Sequence, residues 1–226
     1  YVIPTNGRAV ANKVWVNGPS IHPTVWFKLY RNITGGLVEE VPVAQAPLKE
    51  LPNGTLEATW TNLETTDING NPYTFSVKEV NAAGEPFTPV NYVKEEKGLT
   101  VTNSYSIPET GEIEATKAWV NGPSVHPTVW FKLYRNITGG AVEAVPTDQA
   151  VIKMLGNGTL TVKWEHLDAT DINGNPYTFS VKEVDDEGND FTPVNYEKVE
   201  EGLTVTNSYV IPTNGRAVAN KVWVNG

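Results

Sequence analysis

The sequence predicts an all-β fold: two tandem β-sandwich domains joined by a short linker. Short runs rich in Val, Thr, Tyr, Phe and Trp are punctuated by Pro, Gly and Asn, and almost no stretch carries a helical period. This is the pattern of a sandwich built from many short strands. The chain also repeats. Tyr1, Tyr105 and Tyr209 head matching segments, and 105 − 1 equals 209 − 105, a period of 104 residues. "VANKVWVNG" at 10–18 returns as "ATKAWVNG" at 115–122 and unchanged at 218–226. A period this close to the commonest domain size divides the chain into repeat 1 (1–107), repeat 2 (108–211) and a first-strand fragment of a third repeat (212–226).

Within repeat 1, strands are expected near 9–16, 23–31, 37–42, 55–62, 73–80, 88–94 and 98–105, with repeat 2 offset by the period. "NGPS", "ITGG", "LPNG", "DINGNP" and "NAAG" supply the turn chemistry between them, and "SIPETGE" (106–112) links the repeats. The opening strand is ambiguous in repeat 1, where Val10, Val14 and Val16 rival the other face. Repeat 2 resolves it, because Ile113, Ala115, Lys117 and Trp119 alternate against Glu114 and Thr116. The lysine face is therefore the inner one. In "TVWFKLYR", Val25, Phe27 and Leu29 point inward, leaving Trp26 and Tyr30 outward, as Trp130 and Tyr134 are in repeat 2. "YTFSVKEV" groups Tyr73, Phe75, Val77 and Glu79 on one side, and "LTVTNSY" groups Leu99, Val101, Asn103 and Tyr105.

Three polar side chains thus enter each core: Lys13, Glu79 and Asn103, then Lys117, Glu183 and Asn207. Two readings are open from alternation alone. One is a hydrogen-bonded Lys–Glu ion pair capped by an amide, roughly neutral for stability because desolvation offsets the Coulomb gain. In the other, the same desolvation drives chemistry. An apolar setting favours the neutral amine and the protonated acid. The amine is then a nucleophile, and the acid can polarise the carboxamide and carry the proton that lets ammonia leave. The product would be a Lys–Asn isopeptide bond, formed once per domain without a cofactor.

"KVW" and "KAW" near the start, "YTFSVKEV" with its glutamate, and the closing "TVTNSY" together resemble the Cna protein B-type (CnaB) domains of Gram-positive surface proteins. The resemblance spans both repeats. It implies a prealbumin-like, Ig-like sandwich whose first and last strands are parallel neighbours joined by an intramolecular isopeptide bond. Lys13 and Lys117 match the family's amine donors, Asn103 and Asn207 its acceptors, and Glu79 and Glu183 its proton-shuttling acids. Parallel pairing needs a long crossover, which separates Lys13 from Asn103 but not Asn103 from Lys117. Lys221 is then left without an in-chain partner, and residues 212–226 are open to strand pairing with a neighbouring molecule.

The implied function is a non-enzymatic stalk or spacer of a cell-wall-anchored adhesin, extracellular on a Gram-positive cell, monomeric, with neighbouring repeats as its partners. The runner-up is direct binding of a host matrix protein or glycan, motivated by Trp26, Tyr30, Trp130 and Tyr134. A turnover enzyme is disfavoured, since the only reaction visible consumes its own side chains. The formal charge of −9 argues against nucleic acid and anionic membrane as partners. Cysteine is absent, which rules out disulfides and thiolate metal sites. No metal or cofactor is expected: "DINGNP" reads as a turn, "DDEGND" (185–190) as a solvated loop, and His22, His126 and His166 are scattered. "IPETG" (107–111) resembles a sortase sorting motif without the hydrophobic segment and basic tail, and reads as a linker.

Overall fold

A computed structural model describes residues 1–213 and 215–223. In repeat 1 the strands are β1 (Gly7–Val16), β2 (Val25–Asn32), β3 (Glu39–Glu40), β4 (Lys49–Leu51), β5 (Glu57–Leu63), β6 (Thr74–Val80), β7 (Tyr92–Lys97) and β8 (Thr100–Tyr105). One four-stranded sheet has the order β5-β1-β8-β7. In the other, β2 is flanked by β6 on one edge and by β4 and then β3 along the other. β1 and β8 run parallel, with Lys13 opposite Val101 and Trp15 opposite Asn103. The remaining pairs are antiparallel.

Repeat 2 follows the same plan: β9 (Ile113–Val120), β10 (Val129–Ile137), β11 (Glu143–Ala144), β12 (Lys153–Leu155), β13 (Thr161–Trp164), β14 (Tyr177–Val184), β15 (Tyr196–Glu201) and β16 (Thr204–Tyr209). Its sheets are β13-β9-β16-β15 and a β10-centred sheet with β14, β12 and β11. The chain forms two compact units, residues 1–108 with 169–176, and residues 109–168 with 177–226.

The alternation read from the sequence sets each core. Val25, Phe27 and Leu29 of β2 are buried, packed with Leu51, Trp60, Leu63, Val77 and Val101. The counterparts Val129, Phe131, Leu133, Leu155, Trp164, Leu167, Val181 and Val205 fill repeat 2. The buried Trp60 indole donates to the Pro47 carbonyl at 2.8 Å, and Trp164 donates likewise to Val151. Burying the rings therefore leaves no indole N–H unpaired.

Three strand expectations change. β4 is a three-residue strand inside "PLKEL", too short to show alternation. The 37–42 run contracts to Glu39–Glu40. The run at 88–94 starts late, because Asn91 adopts a left-handed φ of 63° and the Tyr92 amide closes a turn onto Pro89. Strand β7 instead continues through "KEEK", whose charges suit a solvent-facing edge strand. Of the third-repeat fragment, residues 214 and 224–226 lie outside the described residues. Its described residues form no strand.

Candidate functional site

The structure brings Lys13, Glu79 and Asn103 together, and Lys117, Glu183 and Asn207 likewise. All six are buried polar residues in otherwise apolar cores. Lys13 and Asn103 come from adjacent parallel strands of one sheet. They lie on the same face, offset by one side-chain step, since Asn103 sits opposite Trp15. Such diagonal neighbours are about 7–8 Å apart at the backbone end, within reach of a long lysine side chain. Glu79 projects from β6 in the facing sheet and lies between them.

Lys13 Nζ is 3.2 Å from Glu79 Oε2. Asn103 Nδ2 donates to Glu79 Oε1 at 2.9 Å and to Oε2 at 3.2 Å. Repeat 2 reproduces the geometry, with Lys117 Nζ 3.2 Å from Glu183 Oε2 and Asn207 Nδ2 at 2.9 and 3.2 Å from the two carboxylate oxygens. Desolvation pushes the Lys13 and Lys117 amines below their ordinary pKa, against the opposing pull of the paired glutamates. Burial thus favours the neutral, nucleophilic amine. Oδ1 of Asn103 and of Asn207 is buried without a hydrogen-bond partner. A half-turn of either amide would present that oxygen to the glutamate, where a protonated carboxyl would donate to it and polarise the carbonyl.

An aromatic cap covers each lysine. Lys13 Nζ lies 4.0 Å from the Trp15 ring centroid, and the indole's contacts continue to His22, stacked at 4.5 Å and 9°, and to Tyr92, edge-on at 5.0 Å. Lys117, Trp119, His126 and Tyr196 repeat the arrangement. The two histidines that read as scattered in the sequence are therefore parts of the cap. Their sequence signal was the return of "WVNGPS", with His22 and His126 just beyond it, at the same offset.

Around Glu79, side chains of β7 hold the main chain. Glu96 Oε1 accepts the Glu79 amide at 2.9 Å, and Lys94 Nζ donates to the Glu79 carbonyl at 3.3 Å. In the sequence these residues lie in the charged run "KEEK", which carries no apolar alternation to mark an inner face.

The candidate surface aromatics are apart from this site. Trp26, Tyr30, Trp130 and Tyr134 are half-buried on the outer face of β2 and β10. Lys78 lies over the Tyr30 ring at 4.9 Å, and Lys182 over Tyr134 at 5.1 Å. The "DINGNP" carboxylates serve their own loops: Asp67 Oδ1 accepts the amides of Asn69 and Asn71, and Asp171 does the same for Asn173 and Asn175. Among the described residues no group of three or more His, Cys, Asp or Glu side chains could hold a metal ion.

A family model for the Cna protein B-type domain matches residues 10–104 and 113–208. The chain belongs to this family. It is 34% identical over 223 residues to a collagen adhesin of Staphylococcus aureus, covering 94% of this chain and 17% of that protein. The chain thus spans about a sixth of the length of that curated relative. Among solved structures it is similar to two B repeat units of the collagen-binding protein of Staphylococcus aureus, at 19% identity and a TM-score of 0.49, covering 92% of this chain and 50% of that one. It is also similar to a minor pilin of Streptococcus agalactiae, at 15% identity and a TM-score of 0.32, covering 92% and 99% of the two chains. As B-type domains, the two repeats are tandem all-β sandwiches.

Proposed function

We propose that each repeat welds itself shut by an isopeptide bond, Lys13 to Asn103 and Lys117 to Asn207, and that the welded repeats form a stalk segment of a cell-wall-anchored adhesin on a Gram-positive cell. The observation that carries this reading is the convergence of a buried amine, carboxyl and carboxamide, repeated in both domains.

In the reaction, neutral Lys13 Nζ attacks Asn103 Cγ while Glu79, protonated, donates to the amide oxygen. Glu79 takes the proton released by the attacking nitrogen and delivers one to Nδ2. The C–Nδ2 bond breaks, ammonia leaves, and Nζ–Cγ remains as a secondary amide. Atoms balance without oxidant, metal or cofactor, and the reaction runs once.

The physical return is mechanical. β1 is the first strand of the repeat and β8 the last, so a bond between them carries tension directly from entry to exit. The strands between are left unloaded. Unlike a disulfide, the bond survives reducing conditions.

Intact-mass measurement of the full chain tests the reading. The expected result is a deficit of two ammonia molecules against the calculated chain, reduced to one in Lys13→Ala or Glu79→Ala. A wild-type mass equal to the calculated value would leave only the ion pair.

A further inference from the structure

β6 and β7 are edge strands of opposite sheets, so the main chain of Glu79 turns its N–H and C=O toward the open side of the sandwich. On that side the main chain supplies one long hydrogen bond, from the Phe87 N–H to the Glu79 carbonyl at 3.3 Å, and a gap is left at the Glu79 N–H. Side chains of β7 close that gap. Glu96 accepts the Glu79 N–H at 2.9 Å, while Lys94 Nζ donates to the Glu79 carbonyl at 3.3 Å and to the Phe87 carbonyl at 2.8 Å. Lys94 and Glu96 are themselves paired at 2.9 Å, with side chains 16% and 25% exposed. Lys94 also lies opposite Asn103 in the β7–β8 register, on the face that carries the acceptor amide.

Repeat 2 rebuilds this clamp. Glu200 accepts the Glu183 amide at 2.8 Å, and Lys198 donates to the Glu183 carbonyl at 3.2 Å and the Phe191 carbonyl at 2.9 Å, with Glu200 at 3.0 Å. Comparing the two strands isolates the feature. Lys94 and Glu96 recur as Lys198 and Glu200, whereas Val93, Glu95 and Lys97 between and beside them become Glu197, Val199 and Glu201. A solvated charge run has no reason to keep alternate positions and exchange the others. A clamp on the inward face does.

We infer that Lys94 and Glu96, with Lys198 and Glu200 in repeat 2, are positioning residues of the bond-forming centre, fixing the main chain of the proton-shuttling glutamate at both its donor and its acceptor. This rests on the isopeptide reading above. The clamp has a second effect through charge. The Lys94 ammonium adds to the desolvation that lowers the Lys13 pKa, opposing the Glu79 carboxylate. The ionisable groups around Lys13 are Glu79 from β6, Lys94 and Glu96 from β7, Tyr105 from β8, and His22 and Tyr92 beyond Trp15.

The test follows bond closure in time on the full chain, made by pulsed cell-free synthesis, quenched in denaturant and read by intact mass, with peptide mapping to assign each bond to its repeat. Lys94→Met is expected to slow closure in repeat 1 on the order of 10–100-fold, the scale of an ångström-sized misplacement. Repeat 2 of the same molecule keeps its wild-type rate. The rising limb of the rate against pH moves to higher pH, since losing the Lys94 charge raises the Lys13 pKa, and Lys94→Arg restores it. Hydrogen exchange at Val101 reports folding separately. Should Lys94→Met leave repeat 1 unprotected, Glu96→Gln carries the test, because it keeps an acceptor for the Glu79 amide and removes the charge that holds Lys94. Wild-type closure rates and an unmoved pH limb in folded variants would overturn the clamp and leave the bond standing. A wild-type chain that never loses ammonia would overturn both.

Discussion

Asn103→Ala separates a covalent weld from an ion pair, because it leaves Lys13 and Glu79 in place with their charged atoms 3.2 Å apart. If no weld exists, the substitution removes only the hydrogen bonding of the Asn103 amide to the carboxylate, at 2.9 and 3.2 Å. Losing such charge-assisted bonding costs about 1.5–3 kcal/mol. If the weld exists, the unfolded chain also regains the freedom of a loop of about 90 residues, which by the loop-entropy relation for crosslinks is worth about 4–5 kcal/mol. The two together come to about 5.5–8 kcal/mol. At roughly 4–8 °C per kcal/mol for a domain of about 100 residues, that is a fall in Tm of roughly 22–64 °C, against roughly 6–24 °C without the weld, so at any one slope the weld multiplies the fall by about two to four. Differential scanning calorimetry of the full chain measures both repeats at once, and repeat 2 with its intact Asn207 serves as the reference transition. A repeat 1 transition lowered only by the smaller amount would refute the crosslink arithmetic.

Two further outcomes follow from the geometry. Gly18 has a φ of 88°, and a Cβ there would lie 2.6 Å from Tyr92 Oη and 3.0 Å from Tyr105 Cγ. Gly18→Ala is therefore expected to cost about 2–4 kcal/mol in urea unfolding, and Gly35→Ala, with φ 76° and nothing within 4 Å, only about 1–2 kcal/mol of left-handed backbone strain. Equal losses would show that the tyrosines yield freely. By NMR titration His22 should protonate below the ordinary histidine range, from burial, and His166 above it, from its hydrogen bond to Glu109. For His22 the unfolded chain binds the proton first, so this group's contribution to stability is present above the unfolded pKa of about 6.5 and is lost as pH falls toward the folded value. Identical titration of the two rings would contradict the stacked, covered position of His22.

Much of the fold could be read from alternation. Val25, Phe27 and Leu29, or Val101 and Asn103, declare their inner face because a strand has a strict period of two and one face is dry. The repeat supplied a second sample of each strand, which resolved the ambiguous first one through Glu114 and Thr116. Short pieces escaped. β4 has three residues and no pattern to read, and β7 was displaced because Asn91 closes a turn that composition does not announce.

At the site, burial of Lys13, Glu79 and Asn103 was legible one strand at a time, since each conclusion needs only local periodicity. Their meeting at one carboxylate was inferred from three polar side chains entering one core, with resemblance to B-type domains choosing between the two readings, and the three-dimensional structure decided its geometry: the β1–β8 register sets the diagonal offset, and the facing sheet inserts Glu79 between the two. The indole stacked on His22 and the Lys94–Glu96 clamp were decided there too. Those contacts join residues from separate strands and loops, through side chains whose charge or polarity reads in sequence as preference for water. Periodicity tells which way a side chain points; only the packing of one sheet against the other determines what it meets.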